Sequence, residues 1–206
     1  MFSGGIFWRR PGSSHGQFRE VGGFENGEIQ KYTNISIFGL EVSGCLGEHL
    51  GMSDVDKQVS YKNVEDKVRA VLDGETDAIA AMATISCLLS NAFPHFYWTG
   101  FYRLLDGELV IGPYQGTLGC LRIASDRGVC GAAASSGETV VVENVHDFPG
   151  HIACDPLSNS EIVVPVKNKA GDVVAVLDVD STELAAFDQV DKWCLEDIVG
   201  LLTGIC

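Results

Sequence analysis

Basic residues are scarce in this chain: 14 Lys and Arg stand against 28 Asp and Glu, a formal net charge of −14 over 206 residues. Phosphate backbones and anionic lipid surfaces repel such a chain, which excludes nucleic-acid and membrane-surface partners. Long apolar runs are missing too. None reaches the eighteen or so residues of a membrane span, and no stretch has the charged, apolar and small-residue order of a secretory signal. CxxC pairs are also absent. Seven cysteines, an odd number, read as buried or reactive thiols in a reducing, cytoplasmic setting and not as a disulfide framework. What is abundant is apolar surface: 46% hydrophobic residues are enough for one sizeable core.

Residues 1–51 are Gly-rich and lack sustained periodicity, which predicts a flexible or adventitious extension. Arg9, Arg10 and Arg19, with no acid before Glu20, faintly resemble a transit peptide, but an extension without a targeting role is the simpler reading. Met52 opens an alternative start, so the domain is taken as 52–206. The sequon at Asn34 matters only in a secreted protein and is discounted.

Helical spacing begins at Lys62, with Val64, Val68, Val71 and Leu72 on one stripe. A second helix is expected from about Thr76, as N-cap, to Asn91, with Ile79, Ala80, Ala83, Cys87 and Leu88 on its apolar face. Strands are predicted at 97–105 and 109–114, joined by Asp106-Gly107, a strong hairpin signal. Cys120 to Ala124 reads as a short strand, and RGVCGAAASSG as a short helix closed by Gly137. Strands follow at 139–143, 161–166 and 173–179. A last helix runs from about Asp188 to Thr203, with Val190, Trp193, Cys194, Ile198 and Leu201 facing the core. Two helices, a hairpin, mixed strands and a closing helix predict an α+β domain, its helices packed on one sheet face and a pocket on the other.

His146 to Glu161, HDFPGHIACDPLSNSE, joins two Val-rich strands. Connections of this length without periodicity are usually functional or disordered. Phe148, Ile152 and Leu157 argue for an ordered loop carrying Cys154 over the pocket. Three cysteines lie off the helix faces: Cys120, Cys130 and Cys154. No ligand pair has the close thiolate spacing of a zinc site, so no metal is expected. Redox chemistry needs an attacking thiolate and a second thiol to resolve what forms. Cys154, in the loop, is the best attacker, with Cys120 as resolver and Cys130 as the alternate.

Residues i and i+2 of a strand share a face, so Asp178 and Asp180 point the same way. They form either a solvated strand end or the lining of a polar cavity, and the otherwise apolar strand favours the cavity. Glu161, at the start of the neighbouring strand, is placed to converge on them. A carboxyl in such a cluster has a raised pKa and can donate a proton. Trp98 and Tyr102, four apart, also share a face, as core residues or as an aromatic wall opposite the acids.

WTGFY, GPYQGTLGCLRI, RGVCG, ENVHDFPGHIACD, SNSEIVVPV and VLDVDS together resemble the free methionine-(R)-sulfoxide reductases, single GAF-domain enzymes; the resemblance runs from about Lys62 to the C-terminus. It implies Cys154 as the catalytic cysteine, Cys120 as its main resolving partner and Cys130 as a secondary one. It implies a substrate pocket of Trp98, Tyr102, Glu161, Asp178 and Asp180, with Glu161 or Asp180 supplying a proton. Free methionine sulfoxide is the implied substrate and a thioredoxin-like dithiol the reductant, without metal or organic cofactor. Assembly stays open, a homodimer included. The alternative is a GAF-type sensor that binds a small molecule without turning it over.

Overall fold

The computed structural model describes residues 54–206. The proposed alternative start, the sequon and the basic N-terminal stretch lie outside them. In chain order the elements are α1 (Asp54–Val71), α2 (Ala78–Ala92), β1 (Trp98–Leu105), β2 (Glu108–Gln115), β3 (Arg122–Ala124), α3 (Gly128–Ser136), β4 (Val140–Val142), β5 (Ser160–Lys167), β6 (Val173–Ser181) and α4 (Gln189–Gly200). The strands form one six-stranded sheet in the order β3-β2-β1-β6-β5-β4, each neighbouring pair antiparallel. This is the α+β architecture expected from the sequence.

Period-two alternation sorts the central strands between two cores. Phe101, Ile162, Val164, Val166, Ala175, Leu177 and Val179 meet the buried faces of α1, α2 and α4. Trp98, Tyr102, Val163 and Val176 face the other way, against Val129, Cys130 and Ala133 of α3. The second face is therefore not bare, as a helices-on-one-face sheet would leave it. α3, so rich in small residues that its backbone can lie close, covers part of it, and Gly137 ends that helix in the left-handed conformation at φ 67°.

The helices depart from expectation in informative ways. α1 begins at Asp54, eight residues before Lys62, and Val71 at its end is exposed. Its first turns bury Lys57, whose ammonium donates to Asp188 (2.7 Å) and Asp191 (2.8 Å), while Tyr61 Oη donates to Asp191 (2.7 Å). Asp191 and the N-cap Asp188 also complete the capping box of α4, so one wholly buried carboxylate staples α1 to α4. The cap of α2 is Asp77 and not Thr76, accepting from Ala80 N at 2.8 Å. Its buried face is Ala81, Met82, Ile85, Ser86 and Leu89, leaving Ile79, Ala80, Ala83 and Cys87 exposed. A helix apolar on all sides gives no periodicity to choose a face by. Trp193 is likewise no core residue; it is 60% exposed on α4, where Leu195, Ile198 and Val199 point inward.

Candidate active site

Register builds the floor of the site. Trp98 on β1 pairs with Asp180 on β6, and Asp180 pairs in turn with Glu161 on β5; one step along, Gly100 pairs with Asp178 and Asp178 with Val163. Glu161, Asp178 and Asp180 thus fall on one patch of the α3 face. Trp98 and Tyr102 rise beside them with rings 5.8 Å apart, and Tyr114 also stacks on Trp98 at 5.2 Å. Trp98 is pinned by its indole N–H, which donates to the Thr117 carbonyl at 3.1 Å. Gly100 makes the arrangement possible, because a Cβ there would stand 2.3 Å from Tyr114 Cβ and 2.7 Å from Trp98 Cη2.

Trp98, Tyr102, Glu161, Asp178 and Asp180 line a cavity of roughly 510 Å³, part of it open to solvent. Cys130 of α3 and His151, Ile152, Cys154, Asp155 and Ser158 of the loop after β4 complete its wall. The loop begins with a 3-10 turn at Val145–Asp147 capped by Asn144, then runs irregularly to Ser160. It is ordered and lies over the pocket: Phe148 and Ile152 pack against the second core as expected, whereas Leu157 is exposed. Cys154 is disulfide-bonded to Cys120, which precedes β3, with a Cα–Cα distance of 5.3 Å. Cys130 remains a free thiol, buried, its Sγ 4.0 Å from Glu161 Oε1.

Burial dominates the electrostatics. It pushes Glu161 well above the usual carboxylate range, with the Asp178 charge adding to it, and pushes Asp180 up in the same way against a partly offsetting bond from Ser158. Asp178 rises to about 6, also by burial, held from going further by bonds from Cys130 and Glu161. The Cys130 thiol is pushed well up by burial and by the facing acids, so it is held protonated. Burial therefore shifts all three carboxyls toward keeping protons that an exposed carboxylate gives up more readily. Asp178 lines the cavity, and its Oδ1 is buried with no hydrogen-bond donor. Cys130 Sγ and carboxylate oxygens of Glu161 and Asp178 lie within 4.8 Å of one another and are the one group of metal-ligand atoms among the described residues.

Trp98, Tyr102, Glu161, Asp178, Asp180, Cys130 and Cys154 all line this one cavity. Sequence reasoning missed Ser158, which bonds Asp180, and Asp155, which ties the loop down. Asp155 adjoins Cys154, but nothing in its spacing separates it from other loop acids.

A GAF-domain family model matches residues 88–204. The free methionine-R-sulfoxide reductase of Escherichia coli is 42% identical over 153 residues, 73% of this chain and 91% of that protein. The chain belongs to the GAF-domain free methionine-R-sulfoxide reductases. GAF domain-containing protein A of Dictyostelium discoideum, also 42% identical, matches over 76% of this chain and 99% of its own. Among solved structures, the Neisseria meningitidis free methionine-R-sulfoxide reductase in complex with its substrate superposes at a TM-score of 0.69, with 43% identity over 75% of this chain and 92% of that one. Family membership makes this chain an oxidoreductase.

Proposed function

We propose that this chain reduces free L-methionine (R)-sulfoxide to methionine, and that the domain 52–206 carries the whole reaction. The observation that carries the reading is the Cys120–Cys154 disulfide at a cavity floored by three carboxyls with raised pKa. Only a protonated sulfoxide oxygen leaves readily. Glu161 or Asp180 donates that proton while the Cys154 thiolate attacks sulfur. The S–O bond breaks, the substrate sulfur gains two electrons, and Cys154 becomes a sulfenic acid. The Cys120 thiol then condenses with it, releasing water and forming the disulfide, which a thioredoxin-like dithiol reduces.

Trp98 and Tyr102 wall the S-methyl end. The buried acceptor Asp178 Oδ1 meets an α-ammonium. Cys130, held as a thiol, is a poor attacker and serves as a reserve resolver. No step needs a metal or organic cofactor.

A thioredoxin-coupled assay with separated R and S free methionine sulfoxide tests the reading, with turnover expected on R alone. Cys154→Ser should abolish turnover, whereas Cys120→Ser should release about one methionine per enzyme and stop, unless Cys130 takes over. A sensor would instead bind its ligand unchanged after Cys154→Ser, and multi-turnover activity in that variant would sink the mechanism.

A further inference from the structure

Cys154 and Cys120 sit on two irregular segments, 34 residues apart in sequence. A second tie joins the same two segments. The Asp155 carboxylate, next to Cys154, accepts from Thr117 Oγ1 at 2.5 Å, three residues before Cys120. The same Oδ2 accepts from Tyr97 Oη at 3.2 Å, at the entry to β1. Its other oxygen accepts from Leu157 N at 2.8 Å, fixing the turn that follows. Both oxygens are therefore used as acceptors, which an amide cannot reproduce. The Thr117 bond foremost, and the Leu157 N–H after it, hold the Asp155 carboxyl below the usual range, so it is ionised at neutral pH.

We propose that Asp155 is a positioning residue for disulfide formation: through Thr117 it fastens the Cys154 loop to the Cys120 segment, and through Tyr97 to the entry of β1, holding the two sulfurs within bonding reach. This builds on the reaction proposed above. Disulfides form only where the Cα atoms approach to about 4.4–6.8 Å. Two segments without regular structure lose entropy in reaching that distance, and a prior tie raises the effective concentration of one sulfur at the other. The step served is condensation: Cys154–SOH and Cys120–SH lose one water and form S–S. Thr117 and Tyr97 do not line the cavity; the Thr117 carbonyl that holds the Trp98 indole belongs to the backbone, so side-chain variants that remove the two hydroxyls leave that bond in place and act on Asp155.

The test is the double variant Thr117→Val/Tyr97→Phe in the full chain, with Thr117→Ser as the conservative control. Reduced enzyme receives one equivalent of the (R)-sulfoxide without reductant. Methionine release and the lifetime of the Cys154 sulfenic acid, trapped with a cyclic dione, are followed separately. The proposal expects release at the wild-type rate and a sulfenic acid living roughly tenfold longer, since one charge-assisted bond is worth about that factor; Thr117→Ser should behave as wild type. Equilibration with a dithiothreitol redox buffer gives a second measurement that needs no sulfoxide. The Cys120–Cys154 disulfide of the double variant should be roughly tenfold easier to reduce. An unchanged equilibrium, or release slowed as much as condensation, overturns the proposal. A wild-type enzyme that releases no methionine overturns the reaction instead, and the redox equilibrium still decides the latch.

Discussion

Glu161 and Asp180 stand directly opposite each other on β5 and β6, two carboxyls in one cross-strand pair. Like charges so placed destabilise a sheet, and both side chains are turned toward a cavity lined by apolar and acidic groups. The pair escapes the penalty by keeping protons, which burial enforces on both.

A retained proton is what an oxide leaving group needs. Glu161→Gln and Asp180→Asn keep shape and remove the acid, and the residue acting as donor should lose about 100-fold to 10,000-fold in kcat/KM when replaced. Because the folded pKa of both is raised, the protonated form is lost as pH rises through that value. Wild-type kcat/KM should therefore fall on the alkaline side, and the disabling variant should lack that limb. Steady-state profiles from pH 5 to 9 decide it; near wild-type rates in both variants would reduce the carboxyls to a binding floor.

Asp178 makes a prediction about stability. Its folded pKa of about 6 exceeds its ordinary 3.8 because of burial. Between those values the folded state binds more protons than the unfolded one, so stability is fully present below the window and is lost as pH rises across it. Asp178→Asn removes that titration. Urea unfolding should show wild type losing stability from pH 4 to 6 more steeply than the variant, which should be the more stable at pH 7. Parallel curves would show that the Asp178 charge is compensated in the folded state.

Much of this site is legible in the sequence because strand alternation is rigid. Asp178 with Asp180 and Trp98 with Tyr102 needed only a period of two. The partnership of Glu161 with Asp180 needed register, which the residues alone leave open. The helices failed where composition is uniform or partners are remote. α2 is apolar around most of its circumference, so its sequence does not mark Ala81, Met82, Ile85 and Leu89 as the side that faces the core. α1 hides its start because Lys57 looks like a surface residue until Asp188 and Asp191, more than a hundred residues on, neutralise it. The same remoteness concealed Asp155, whose partners Thr117 and Tyr97 precede it by 38 and 58 residues.

That neutralised lysine carries its own prediction. Asp191 is fully buried and accepts from Lys57, Tyr61 and its own capping partner. Asp191→Ala leaves a buried ammonium with only the half-exposed Asp188, and breaking a buried pair in this way costs about 3–5 kcal/mol. The network lies across the sheet from the cavity, so kcat per folded molecule should be unchanged. Urea unfolding and active-site titration separate the two; a loss below about 1 kcal/mol, the usual worth of an exposed pair, would show that the staple is not buried in solution.

Substrate size follows from the floor of the cavity. Asp178 Oδ1 is buried without a donor, and Asp180 and Glu161 lie beside it. On the proposed reading a free α-ammonium satisfies that acceptor, whereas an amide-locked nitrogen offers no charge and brings an acyl group against a wall that includes Ile152 and Cys154. A site built to bond a charged donor rejects an analogue lacking it because its own buried acceptor is left unpaired, and discrimination then reaches about 10,000-fold. Free methionine sulfoxide should therefore be turned over efficiently, and N-acetylmethionine sulfoxide or sulfoxide within a peptide hardly at all. Comparing kcat/KM for the free and N-acetyl substrates decides the matter. Asp178→Asn should narrow the gap by weakening the free substrate only; equal values in the wild type would mean that the amine is not read and the loop does not enclose it.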